Sequence, residues 1–210
     1  MQTIKIALLC TPVLVALGCA SYPDQPTTRN IAEKMVSEAY PGMPPVLVKR
    51  SGQDRSQQIC SKIGEMTLSQ QEAAEVAQAA RASMQYPASG KLMGDWKVGA
   101  KLAYDGGGSR IRGGKVEKRK ENGASCSNCH LLDPREVNAG NVGPSLAGYG
   151  AQRGNSEAIA KYTYEKIYDA WAYFPCSNMP RMGHSGHLTP EQISHVVAYL
   201  VDPQSPVNKK

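Results

Sequence analysis

The last apolar stripe of the chain is its most regular. Ile193, Val196, Val197, Leu200 and Val201 recur at three- and four-residue steps. Thr189-Pro190-Glu191-Gln192 before them supplies a capping threonine, a proline for the first helical position and a glutamine to close a capping box. Trp96, Gly99, Leu102 and Ala103 fall on one face of a helix expected within Gly94 to Tyr104. Ile159, Tyr162, Ile167, Tyr168 and Trp171 mark a third, predicted from Ser156 to Phe174. Upstream, Ser69-Gln70-Gln71-Glu72 reads as a capping box opening an Ala-rich helix toward Gln85, with Pro87 and Gly90 beyond it. A shorter pattern over Asn30 to Ala39, with Ile31, Met35 and Val36, ends at Pro41-Gly42 and Pro44-Pro45. No long β-branched alternation marks a strand, so the expected fold class is all-α.

The first 20 residues have a different character. A short basic start through Lys5 precedes an apolar run from Ile6 to Leu17 and the small residues Gly18, Cys19 and Ala20. This is an export signal, too short and too soon followed by polar residues to span a membrane well. Two processing outcomes stay open. Ala16-Leu17-Gly18-Cys19 resembles a lipoprotein box that would make Cys19 a lipidated first residue, tethering a soluble domain to a membrane surface. Ordinary cleavage after Ala20 would release it. Residues 21–90 then read as a Pro-rich tether and a helical extension without a chemical motif. Residues 91–202 hold the chemistry, and 203–210 form a tail.

That chemistry centres on Cys126-Ser127-Asn128-Cys129-His130. C-x-x-C-H is the attachment signature of c-type haem: two thiols on one side of a helical turn take the two vinyl groups, and the next residue meets the iron. A zinc site would need two more Cys or His at similar spacing, and the chain has no second C-x-x-C. A redox dithiol would want a βαβ setting, which nothing nearby provides. One covalent haem c is therefore expected, on Cys126 and Cys129, with His130 as proximal ligand. Export suits this, because bacteria attach haem c outside the inner membrane.

Downstream, Asn141-Val142-Gly143-Pro144-Ser145-Leu146 contains the Gly-Pro-x-Leu element that class I cytochromes c place after the attachment motif. Its proline carbonyl would accept a hydrogen bond from the free imidazole N–H of His130, fixing ring orientation. In Cys176-Ser177-Asn178-Met179-Pro180-Arg181-Met182-Gly183, a Met-Pro pair on a loop before the last helix makes Met179 the expected distal ligand, with Met182 the alternative. His184 and His187 read as exposed loop histidines more than as ligands, and His195 as a surface or boundary residue of the last helix. Cys60 and Cys176 are left over, and in an oxidising compartment two such thiols are expected to be bridged; a reactive thiol beside the haem is the rival reading.

Charge adds one further feature. The chain has 24 basic and 18 acidic residues, a formal net charge of +6. Nucleic acid is argued against by the export signal. The excess is local, in Arg110, Arg112, Lys115, Lys118, Arg119 and Lys120 just before the haem motif, within a Gly- and Lys-rich insertion from Gly106 to Gly123 expected to be a surface loop. It is either a solvated loop or a docking face for an acidic redox partner.

Taken together, Trp96 to Ala103, the C-x-x-C-H, Asn141 to Leu146 and the run from Asn178 to Thr189 resemble SoxX, the monohaem c-type cytochrome subunit of SoxAX complexes in bacterial sulfur oxidation. The long insertion and Met-Pro-Arg-x-Gly-His-x-Gly-x-Leu-Thr carry most of that resemblance. Met182 departs from it, because that position is often aromatic in the family. The resemblance implies a class I cytochrome c domain and a heterodimer with a SoxA-type haem subunit that holds the catalytic haem. Such a complex, an L-cysteine S-thiosulfotransferase, joins thiosulfate to a SoxYZ carrier cysteine. This chain would be its non-catalytic, electron-accepting subunit in the periplasm, passing electrons to a downstream cytochrome c. The alternative is a free-standing periplasmic carrier cytochrome without a catalytic partner. A haem enzyme such as a peroxidase would need an open axial position.

Overall fold

The computed structural model describes residues 25–39, 52–64, 68–108, 110–112, 115–117 and 122–209. The export signal, Cys19, and Lys118, Arg119 and Lys120 of the basic cluster lie outside the described residues. The chain divides into two units, Met1–Met43 and Pro44–Lys210. The first contains α1 (Gln25–Ala39), five residues longer at its start than the apolar pattern predicts, with Ile31, Met35 and Val36 exposed along it.

In the second unit every described α-helix except Tyr149–Arg153 starts where a side chain can satisfy one of its first backbone N–H groups. Capping boxes open α2 (Arg55–Cys60) at Asp54 and Gln57, and α3 (Gln70–Ala82) at Ser69 and Glu72. Asp95 caps α4 (Trp96–Tyr104). After the attachment motif come α5 (Tyr149–Arg153) and α6 (Glu157–Tyr168), the latter capped by Ser156. Thr189, Pro190 and Gln192 open α7 (Pro190–Val201) with the cap, proline and capping box the sequence predicts. Among the described residues every regular element apart from one short hairpin is helical, and the fold is all-α.

The core forms where α7 crosses α4 and α6. Ile193, Val196, Val197, Leu200 and Val201 are all buried, with Leu102, Ala103, Tyr164 and Ile167 from the facing helices. Burying each large side chain contributes on the order of 1.5–3 kcal/mol. The α4–α7 crossing needs Gly99: a Cβ there would lie 1.9 Å from the carbonyl oxygen of His195 and 2.9 Å from Cβ of Tyr199. The same crossing gives His195 its role, since its Nδ1 accepts a hydrogen bond from the Asp95 N–H at the start of α4 (2.8 Å).

Three elements differ from expectation. The helix predicted from Ser156 to Phe174 stops at Tyr168, because Asp169 adopts an extended conformation and its carboxylate caps a separate 3-10 turn, Ala170–Ala172. Trp171 consequently leaves the main core and packs in a second cluster with Ile59, Val76, Ala80 and Ala172, which joins α2 and α3 to the segment after α6. The insertion, expected to be loop throughout, contains an antiparallel hairpin of β1 (Arg110–Arg112) and β2 (Lys115–Glu117). Its base is drawn together by backbone bonds from Gly123 N to Gly107 O, Ala124 N to Leu102 O and Ser125 N to Asp105 O. Finally, the segment after α7 packs on it: Val207 is buried, and the Asn208 amide donates to the carbonyls of Leu200 and Asp202.

Candidate haem site

The attachment motif enters through a strained residue. Ser125 stands at φ +45°, one of two non-glycine residues in the left-handed region among those described; the other is Cys176. Cys126–Asn128 then form one turn of 3-10 helix, and the N–H groups of Cys129 and His130 both bond to the Cys126 carbonyl. The turn brings both thiols and the imidazole onto one short segment. Cys126 and Cys129 are unpaired, while Cys60 and Cys176 form a disulfide with a Cα–Cα separation of 5.3 Å. Burial pushes the Cys126 thiol up to about 11, the neighbouring Cys129 adding to the rise against a bond from its own backbone.

His130 is held from below by the segment that follows. Its Nδ1 lies 2.7 Å from the Pro144 carbonyl oxygen, so Nε2 is the nitrogen that could coordinate an iron. Gly143 N bonds to Cys129 O and Leu146 N to Leu131 O, so the Gly-Pro-x-Leu element braces the motif along its backbone. Gly143 allows this approach: a Cβ there would come within 2.2 Å of the His130 ring. Two free thiols and an oriented imidazole on one turn, with Met179 and Met182 against the core cluster that Cys126 borders, form a donor set that fits haem c.

Met179 and Met182 both pack, partly buried, against the core cluster that Cys126 also borders. Their loop is fixed at several points. Met179 N donates to Ser177 Oγ (3.2 Å), Ser177 O accepts from Trp171 Nε1 (2.8 Å), and the N–H groups of Gly183 and His184 share the Tyr168 carbonyl.

Between the two methionines lies a residue to which sequence reasoning gave no role. The Arg181 side chain is only 10% exposed; its Nε bonds to Asp169 Oδ2 (2.9 Å), its Nη1 to Asp54 Oδ2 (3.0 Å), and its guanidinium sits over the Trp171 ring at 4.3 Å. Asp169 is fully buried. Partial burial would push Asp54 up, but the Gln57 backbone N–H, Arg181 and His184 together hold it below the usual carboxylate value. The signal available in the sequence was the Asp54-x-x-Gln57 cap in front of a cysteine-bearing helix; Asp169 carried none, because its partner is brought by the fold.

The loop histidines are partnered. His184 Nδ1 lies 3.1 Å from Ser83 Oγ, and its ring also faces Asp54 and Asp169. His187 Nε2 meets the Gly123 carbonyl oxygen at 2.7 Å, closing the base of the insertion. Among the described residues no group of three or more His, Cys, Asp or Glu side chains is arranged to hold a metal ion, and no helix is long and apolar enough to cross a membrane.

Comparison with known proteins agrees with this geometry. The profile of the cytochrome c family matches residues 118–202. The chain is also 40% identical over 159 residues to an uncharacterised lipoprotein of Aquifex aeolicus (strain VF5), an alignment covering 76% of this chain and 74% of that protein.

Proposed function

The chain belongs to the c-type cytochromes, and from that premise we propose that it is a monohaem electron-transfer subunit of a SoxAX-type complex. Haem c would supply a one-electron iron couple. Cys126 and Cys129 would hold it as thioethers, His130 would be the proximal ligand with its ring set by the Pro144 carbonyl, and Met179 the distal ligand. The single observation that supports electron transfer over substrate chemistry is that the attachment turn, with His130 oriented by the Pro144 carbonyl, and the braced loop bearing Met179 border one core cluster, the turn through Cys126. Ligation of a bound haem iron by both His130 and Met179 would leave no open position for substrate, and the thioether would raise the reduction potential.

The SoxAX assignment is supported by the Met-Pro-Arg-x-Gly-His-x-Gly-x-Leu-Thr run and by the insertion before the attachment motif. The partner would be a SoxA-type haem subunit carrying out the thiosulfate coupling to a SoxYZ cysteine. This chain would accept the electrons and pass them to a downstream cytochrome c. A periplasmic location follows from the export signal, and the name of the Aquifex relative supports a lipid anchor at Cys19.

One observation favours the second reading, a free-standing carrier. Ile59, Val76 and Ala80 are already buried with the chain's own Trp171 and Ala172, so these side chains need no partner to cover them. Purification of the tagged chain from its own host grown on thiosulfate, followed by a denaturing gel stained for covalent haem, separates the two. A second haem-stained band in equal amount is expected for a SoxAX-type subunit. A single band from a monomer would leave the carrier.

A further inference from the structure

The short helix α2 touches the methionine loop at both of its ends. At its start, the Asp54 carboxylate does two things: Oδ1 accepts the Gln57 N–H of the helix cap (2.7 Å), and Oδ2 takes Arg181 Nη1 (3.0 Å). At its finish, Cys60 is bridged to Cys176. Cys176 lies three residues before Met179, and Arg181 two residues after it, so the two attachments bracket the methionine. Six residues of helix rise only about 9 Å, and a helix that short is stiff. On the far side, Arg181 is fastened to the buried Asp169 and lies over Trp171, while Met179 N and the Ser177 carbonyl are tied into the same corner. Each end of α2 thus holds a different end of the loop, one covalently and one ionically.

We propose that α2 is a strap that keeps the distal ligand in place, and that Asp54 and Arg181 are positioning residues for Met179. This rests on the reading of Met179 as distal ligand. A merely structural extension would be held by its apolar contacts, Ile59, Val76 and Ala80 on Trp171, and would have no need to grip the loop on either side of the methionine. The ionic grip is also economical in sequence: the Arg181 side chain is nearly buried, yet its acidic partners come from 12 and 127 residues away, and both are placed only by the folded chain. Loosening the strap would let the thioether leave the iron more often without unfolding the helices around it.

The test uses the holoprotein and two conservative variants. Asp54→Asn keeps an oxygen for the Gln57 N–H, and so the helix cap, while removing the charge. Arg181→Lys keeps the charge but loses the forked contact to two carboxylates. The readouts are the far-red thioether–iron absorption of the ferric protein and the rate of cyanide binding, which is limited by departure of the distal ligand. Both variants should bind cyanide about tenfold faster than the unsubstituted protein, the range expected for loss of a group that orients a metal ligand, with unchanged far-ultraviolet circular dichroism. Asp54→Glu should restore part of the difference. Unchanged cyanide rates in both variants, with the far-red band present, would overturn the strap and leave a methionine ligand in place. Absence of the far-red band from the unsubstituted protein would overturn the ligand reading and the strap with it.

Discussion

Gly143 stands against the imidazole of His130, so close that a Cβ would fall 2.2 Å from Cε1, 2.5 Å from Nδ1 and 2.8 Å from Nε2. The ring is thus confined between the backbone of residue 143 and the carbonyl of Pro144. Gly143→Ala should push the ring off that carbonyl and lower covalent haem per chain about tenfold, as loss of an orienting contact does at other metal sites. Pyridine haemochrome absorbance against total protein measures this; equal haem content in the variant would show that the ring has room to move.

Gly99 makes an equally close contact, but with backbone. An added Cβ would meet the His195 carbonyl at 1.9 Å, and no side-chain rotation relieves that. Gly99→Ala should force α4 away from α7 and destabilise the protein by about 1–3 kcal/mol or more, the range for overpacking a filled core. Guanidinium titration followed by circular dichroism would show a lower midpoint. An unaltered midpoint would mean that the crossing is looser than described.

The two methionines predict different spectra. Met179→Ala should abolish the far-red band and lower the reduction potential, while Met182→Ala should keep the band. The opposite pattern would transfer the ligand role to Met182, which borders the same core cluster.

Glu165 receives two phenols, Tyr86 at 2.5 Å and Tyr173. Burial first, and then the hydrogen bond and charge of Glu165, push Tyr86 up to about 12 from an ordinary value of 10.0. Tyr173 is raised for the same reasons. A phenol raised in the folded state contributes stability that is complete below its unfolded value and is lost as pH rises through the folded one. The Tyr86 contribution should therefore disappear between about pH 10 and pH 12. Glu165→Gln should bring part of the phenolate absorbance change to lower pH. A superimposable titration curve would show that the carboxylate does not hold these hydroxyls.

Much of this arrangement could be read from local signals. The caps of α3 and α7 and the apolar stripe of α7 each depend on residues close in sequence, where propensity and spacing act directly. The bond between His130 and Pro144 spans 14 residues and is legible only through the Gly-Pro-x-Leu element. The break at Asp169 could not be read this way. Helical periodicity runs on through Trp171, and what stops it is a carboxylate that accepts the N–H of Trp171, two residues on, and also binds Arg181, a partner that only the fold supplies. The helix α2 offered only its Asp54-x-x-Gln57 cap as a signal, since six residues give too little periodicity to score. The hairpin was legible and missed: Gly113-Gly114 stands between Arg112 and Lys115, a dipeptide favoured in two-residue hairpin turns.

The disulfide has a consequence for how the protein is made. It joins residues 116 positions apart, and the attachment pair, Cys126 and Cys129, lies within that interval. On export, as the first 20 residues predict, these four thiols would enter one oxidising compartment with opposite fates: two would be oxidised, and two would have to stay reduced until they add to haem. Any exchange that paired Cys176 with Cys126 or Cys129 would block attachment outright. Maturation is thus a sorting problem among cysteines, and a cell producing this chain needs a reductant that opens bridges at the attachment pair while sparing the one between Cys60 and Cys176.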